Sequence, residues 1–131
     1  MTTRDEFINQ LRGTAFGKLT VDTSDEEFFQ NETLRPIMKL QNDLLVAVFQ
    51  RYTVLSKVKF TEFSNEKKLD FIENTIKKDT KFRNTLKGIV IGFFTLEEYN
   101  RYRVNSSALG KRITNLLIER LQSQVQLLEI P

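Results

Sequence analysis

The run GTAFGKLT, residues 13 to 20, is the first place in this chain where residue type and spacing suggest chemistry. A phosphate-binding loop is built in this way: consecutive backbone amides wrap a phosphate and a lysine that follows a glycine reaches its outer oxygens. That loop needs four residues between its first glycine and the Gly-Lys pair, then a Ser or Thr to hold magnesium. Here three residues separate Gly13 from Gly17, and Leu19 stands where the hydroxyl belongs. The pattern before Gly13 is also that of an amphipathic helix rather than a buried strand. The stretch therefore reads as a connector. Gly13 ends a helix, Phe16 and Leu19 anchor the loop to the core, Lys18 points into water, and Gly13 or Gly17 takes a positive φ.

Other chemistries meet similar obstacles. Oxygen side chains crowd between Asp22 and Glu27, but a calcium loop needs glycine at its sixth place and Glu27 stands there. With no His and no Cys, the chain lacks the usual ligands of zinc and the common neutral-pH acid and base. Ser107 and Lys111 lie one helical turn apart, yet a lysine base must be desolvated and Arg112 follows this one directly. Glu97 and Asp43 are carboxylates that only folding would pair for hydrolysis. No catalytic, cofactor-binding or metal-ligating residue is assigned and no cofactor is expected; carboxylate chemistry is the enzymatic alternative.

The strongest site signal is basic. Lys77, Lys78, Lys81, Arg83 and Lys87 fall within a short span opposed only by Asp79, and they are the candidate polyanion-binding residues. On a helix Lys77 and Lys81 stack one turn apart, as do Arg83 and Lys87, which spreads the charge over two flanks. Phe82 lies among them; its helical position suits the core better than stacking on a base.

These residues need elements to position them. Ser or Thr followed three residues later by Glu is a helix-start signature, and it occurs at Thr3-Glu6, Ser24-Glu27 and Thr95-Glu98. Phe7, Ile8 and Leu11 share the face of the first helix, and Tyr99 and Tyr102 lie on the one after Thr95. Pro36 suits the first turn of a core helix of about 18 residues, with Ile37, Leu40, Leu44, Val48 and Tyr52 in one stripe. Ser64 caps a helix with Leu69, Ile72 and Ile76 on its inner face and Lys67, Lys68 and Lys77 outside. The run RNTLKGIVIGFFT, residues 83 to 95, reads as helix or as a buried strand; the helix is preferred because no partner strand is evident, and Gly88 and Gly92 would then admit a close neighbour. The longest helix runs from about Ser107, capped by Ser106 or Ser107, to Leu128. Its stripe of Leu109, Ile113, Leu116, Leu117, Leu121, Val125 and Leu128 leaves a surplus of Ile118, Leu127 and Ile130. A mainly all-α single domain over residues 1–131, with five to seven helices and a minor strand pair using Leu19 to Val21, is the expected architecture.

The run FGKLTVDTSDEEFFQNETLRPIMKLQNDLL and the later NSSALGKRITNLLIERLQSQVQLLE resemble a group of short uncharacterised bacterial helical proteins that often carry the label "glyoxalase". The label implies a metal-dependent enzyme of paired βαβββ units with His and Glu ligands and a glutathione-derived substrate. This chain has no His and no β-rich halves in its pattern, so no catalytic residue carries over.

The bulk numbers bound the rest. The 131 residues, 40% apolar and 28% charged, suit one packed domain that needs no disulfide or metal staple. The acidic start MTTRDEFINQ is not a secretory signal, and no stretch approaches the roughly 20 apolar residues of a membrane span. A cytoplasmic location without membrane association is the expectation. The net charge of +3 divides unevenly: residues 1 to 44 carry five basic and eight acidic side chains, residues 45 to 131 fifteen and nine. The leading expectation is a protein–protein interaction module, self-associating through the apolar surplus of the 36–52 and 107–128 helices. Nucleic-acid binding through residues 77–87 is the alternative.

Overall fold

A computed structural model describes residues 3–13 and 24–129 of the chain. Among the described residues there is no strand. The helices are α1 (Arg4–Arg12), α2 (Asp25–Phe29), α3 (Arg35–Leu40), α4 (Asn42–Leu55), α5 (Asn65–Lys78), α6 (Thr80–Ile91), α7 (Leu96–Val104) and α8 (Ser106–Ser123), with 3₁₀ turns at Phe60–Glu62 and Leu127–Glu129. A π-helical turn, Gln30–Leu34, joins α2 to α3, so that the described residues form seven rods of an all-α fold. No helix among these residues is long and apolar enough to cross a membrane.

Side-chain capping sets the helix starts. Thr3 Oγ1 accepts the Glu6 amide (3.3 Å), Ser24 Oγ that of Glu27 (3.1 Å) and Ser64 Oγ that of Lys67 (3.2 Å). Thr95 and Glu98 form the full reciprocal box at α7: Thr95 Oγ1 accepts from the Glu98 amide at 3.2 Å, and the Thr95 amide donates to Glu98 Oε1 at 2.8 Å. Asp79 starts α6 in the same manner, its Oδ1 accepting the Phe82 amide at 3.0 Å. Each such cap satisfies an otherwise orphaned amide and stabilises its helix by about 1 kcal/mol. At the other end of α1, Gly13 has the expected positive φ, 71°, but its ψ of −163° is a glycine-only conformation distinct from the left-handed helical cap. The strand pair at Leu19 to Val21, and the positions of Phe16, Gly17, Lys18 and Leu19, lie outside the described residues.

Helix α8 forms the centre of the molecule. Leu109, Ile113, Leu116, Leu117, Ile118 and Leu121 are all buried, a stripe wide enough to meet neighbours on several sides. Ile72 and Ile76 of α5, Leu86 and Val90 of α6 and Leu45 of α4 complete that core. Beside it, Phe49 sits among Tyr52, Phe60, Phe71 and Phe82 with ring centroids 6.0 to 6.3 Å away, mostly tilted or edge-on, the arrangement aromatic quadrupoles favour.

Residues 88–91 are helical, as preferred, at the end of α6. Other expectations are corrected. The helix expected to start at Pro36 instead continues from α2 through the π turn, and it is interrupted at Gln41, whose φ and ψ of −93° and 6° separate α3 from α4. The proline is tolerated because Arg12 replaces its missing donor. Glu32 carbonyl, four residues before Pro36, accepts from Arg12 Nη2 at 3.2 Å. On α1 the buried pair is therefore Ile8 and the Arg12 side chain, while Phe7 and Leu11 are exposed. Lys68 is not outside α5: it is 5% exposed, with its ammonium 5.8 Å from the Phe60 ring centre. Gly88 has open space around it and Gly92 meets only its own helix, so neither admits a second helix.

Candidate anion-binding groove

Helices α5 and α8 run antiparallel. Gln122 Nε2 donates to the Leu69 carbonyl (3.1 Å) at one end of the pair, and Lys77 shares a groove with Thr114 and Asn115 towards the other. Helix α6, separated from α5 by Asp79 alone, packs against both α5 and α8. The result is a groove of about 450 Å³ lined by Lys77, Arg83, Lys87, Ser106, Ser107, Gly110, Lys111, Thr114 and Asn115. From Ser106 to Asn115 it follows α8 for about 14 Å.

The lining contains four cations, four hydroxyl or amide side chains, one glycine and no carboxylate. Of the candidate polyanion-binding residues, the fold brings Lys77, Arg83 and Lys87 together here, whereas Lys78 and Lys81 are exposed and do not line the groove. The division does not follow the expected flanks: α5 ends at Lys78 and α6 starts at Thr80, so Lys77 and Lys81 lie on different helices, and Lys77 joins Arg83 and Lys87 in the groove while Lys81 is exposed. Phe82 is buried in the aromatic cluster, as its helical position implied, and offers no face to a base.

Two features position the centre of the groove. Gly110 is buried in the second turn of α8, and a Cβ built there would stand 3.1 Å from Lys87 Nζ and 3.8 Å from the Tyr102 hydroxyl. The missing side chain is what lets the Lys87 ammonium lie against α8. A glycine inside an 18-residue helix costs about 1 kcal/mol relative to alanine, and that local cost is the signal in the sequence that marks a close approach at this position. The start of α8 is the second feature. Asn105, not Ser106 or Ser107, is the N-cap residue, and it makes no side-chain cap; its amide group instead donates to Glu26 Oε1 at 3.4 Å. Both serines thus lie inside the first turn, where backbone amides face outward at the positive end of the helix dipole.

Arg83 and Lys77 are already engaged. Arg83 Nη1 donates to the carbonyls of Ile76 (3.2 Å) and Lys77 (2.6 Å), closing the C-terminal end of α5, and Lys77 Nζ lies 2.9 Å from Glu73 Oε1. Lys87 and Lys111 make no hydrogen bond or ion pair with the described residues.

The carboxylates weighed for hydrolysis or metal binding form no comparable site. Glu97 and Asp43 are exposed on α7 and α4, and among the described residues no group of three or more Asp or Glu side chains is placed to hold a metal ion. Lys111 is exposed beside Ser107, without the desolvation a lysine base requires. No protein-family model, curated protein or solved structure matches the chain.

Proposed function

We propose that this protein is a binding module for anionic, phosphate-bearing ligands, nucleic acid among the candidates, and that the α5–α6–α8 groove is where they bind. The observation that carries the reading is the convergence of four cations and the start of α8 on one groove whose lining has no acidic side chain. Such a surface attracts anions at long range and is sensitive to salt. The test is titration with a short inorganic polyphosphate at 50 and 200 mM salt. Binding should weaken several-fold at the higher salt and should drop at least tenfold when Lys87 and Lys111 are both changed to Ala. Equal affinity in that double variant rejects the groove.

Self-association is a second reading, favoured by a different surface. Val54 and Leu55 are 63% and 65% exposed at the end of α4, and Val54 borders a groove of about 510 Å³ that Val58, Phe60 and Leu128 also line. A second copy packed there would give concentration-dependent light scattering, abolished by Val54→Asp. A strict monomer across a hundredfold concentration range would rule it out.

A further inference from the structure

The two ends of the basic groove are unequal. At the Asn115 end the cations have partners, Arg83 on the α5 carbonyls and Lys77 on Glu73. Towards the Ser106 end, Lys87 and Lys111 have none among the described residues, and Gly110 between them gives the Lys87 ammonium its place against α8.

We propose that this end of the groove binds the terminal phosphate monoester of a small molecule, whose remaining body lies along Thr114 and Asn115. The inference rests on the anion-binding reading and narrows it. A phosphate monoester carries close to two negative charges at pH 7 and three acceptor oxygens. Two unpaired ammonium groups and the Ser106 and Ser107 hydroxyls match that charge and that number of acceptors, and the first-turn amides of α8 add to the field. A nucleic-acid strand fits less well. It presents single charges in series, and single-strand sites pair a basic track with exposed aromatic faces. No aromatic residue lines this groove, and its free cations lie together rather than along a track. The volume of about 450 Å³ is that of a small-molecule site.

The experiment titrates ¹⁵N-labelled protein with phenyl phosphate and, separately, with a ten-residue thymidine oligonucleotide lacking terminal phosphates. Phenyl phosphate should shift the amides of Ser106, Ser107, Ala108 and Gly110 saturably, and its affinity should fall at least tenfold in Lys87→Ala and in Lys111→Ala. Gly110→Ala, which crowds the Lys87 ammonium, should also weaken it; the two lysine variants carry the test if that protein does not fold. Groove shifts with the oligonucleotide but not with phenyl phosphate would overturn the monoester inference while leaving the anion-binding reading in place. Failure of both ligands to shift these amides would overturn both.

Discussion

Arg12 illustrates how much architecture one side chain supports. Its guanidinium donates to both carboxylate oxygens of Glu98, one at 2.8 Å, and to the carbonyls of Glu32 and Phe93 at 3.2 and 3.3 Å. Only 6% of the Arg12 side chain and 13% of the Glu98 side chain remain exposed. Removing one partner of a buried pair leaves an uncompensated charge, so Glu98→Gln should cost about 3 kcal/mol of stability, read as a lower urea midpoint. Burial pushes the Glu98 carboxyl up, but the hydrogen bonds from Arg12, the Thr95 amide and the Thr33 hydroxyl outweigh it and leave the carboxyl below the usual glutamate value. The folded state therefore binds this proton more weakly than the unfolded chain. The stabilisation is complete above about pH 5 and is lost as the pH falls through the unfolded and then the folded value. Wild type and Glu98→Gln should accordingly converge in urea midpoint as the pH falls below about 5; a constant gap would contradict this assignment. Little of this was legible beforehand. Glu98 was recognisable as half of a capping box, but its partner Arg12 is 86 residues away and no local pattern joins the two.

At the scale of the elements, helix starts were the most legible feature, because a cap is a contact between residues three apart and needs no knowledge of the rest of the chain. Helix ends and interruptions were less so. The π turn before Pro36 and the break at Gln41 depend on groups from elsewhere: Arg12 supplies the donor for Glu32, and Gln41 Nε2 donates to the Ile89 carbonyl at 3.3 Å. The end of α4 offers a separate prediction. The Val58 amide donates to the Thr53 carbonyl and the Lys57 amide to that of Val54, both at 3.1 Å, which is a Schellman closure with Lys57 at its left-handed position, φ 57°. Lys57 is exposed, so the strain of a Cβ there is not offset by packing. Lys57→Gly should raise stability by about 0.5–1 kcal/mol in thermal unfolding, and a loss of stability would show that the lysine side chain contributes a contact of its own.

For the molecule as a whole, the class of fold followed from periodicity, while the location of the candidate site did not. The basic run was visible as a run, but its division into a groove face and a solvent face needed the position of α8. Lys111 and the two serines entered only because α8 lies alongside α6. The apolar surplus expected on the last helix divides: Ile118 is 6% exposed, consumed within the protomer by helices on more than one side of α8, whereas Leu127, in the 3₁₀ turn beyond α8, is 46% exposed. A single stripe cannot represent a helix surrounded in that way, and the candidate surface for a second copy moves to the end of α4. Ile130 lies outside the described residues.

The bond from Arg12 to the Glu32 carbonyl should also make distant parts of the chain open together. The helical ladder around Pro36 lacks a donor that only α1 supplies, and the same arginine fixes α7 through Glu98. Fraying of the amino-terminal helix should therefore propagate to the middle of α2–α3 and to the start of α7 without unfolding α8. In native-state hydrogen exchange, the amides of Asn9, Arg35 and Glu98 should share one opening free energy, below that of Leu117. Independent values for these three would show that the arginine joins the segments without coupling them.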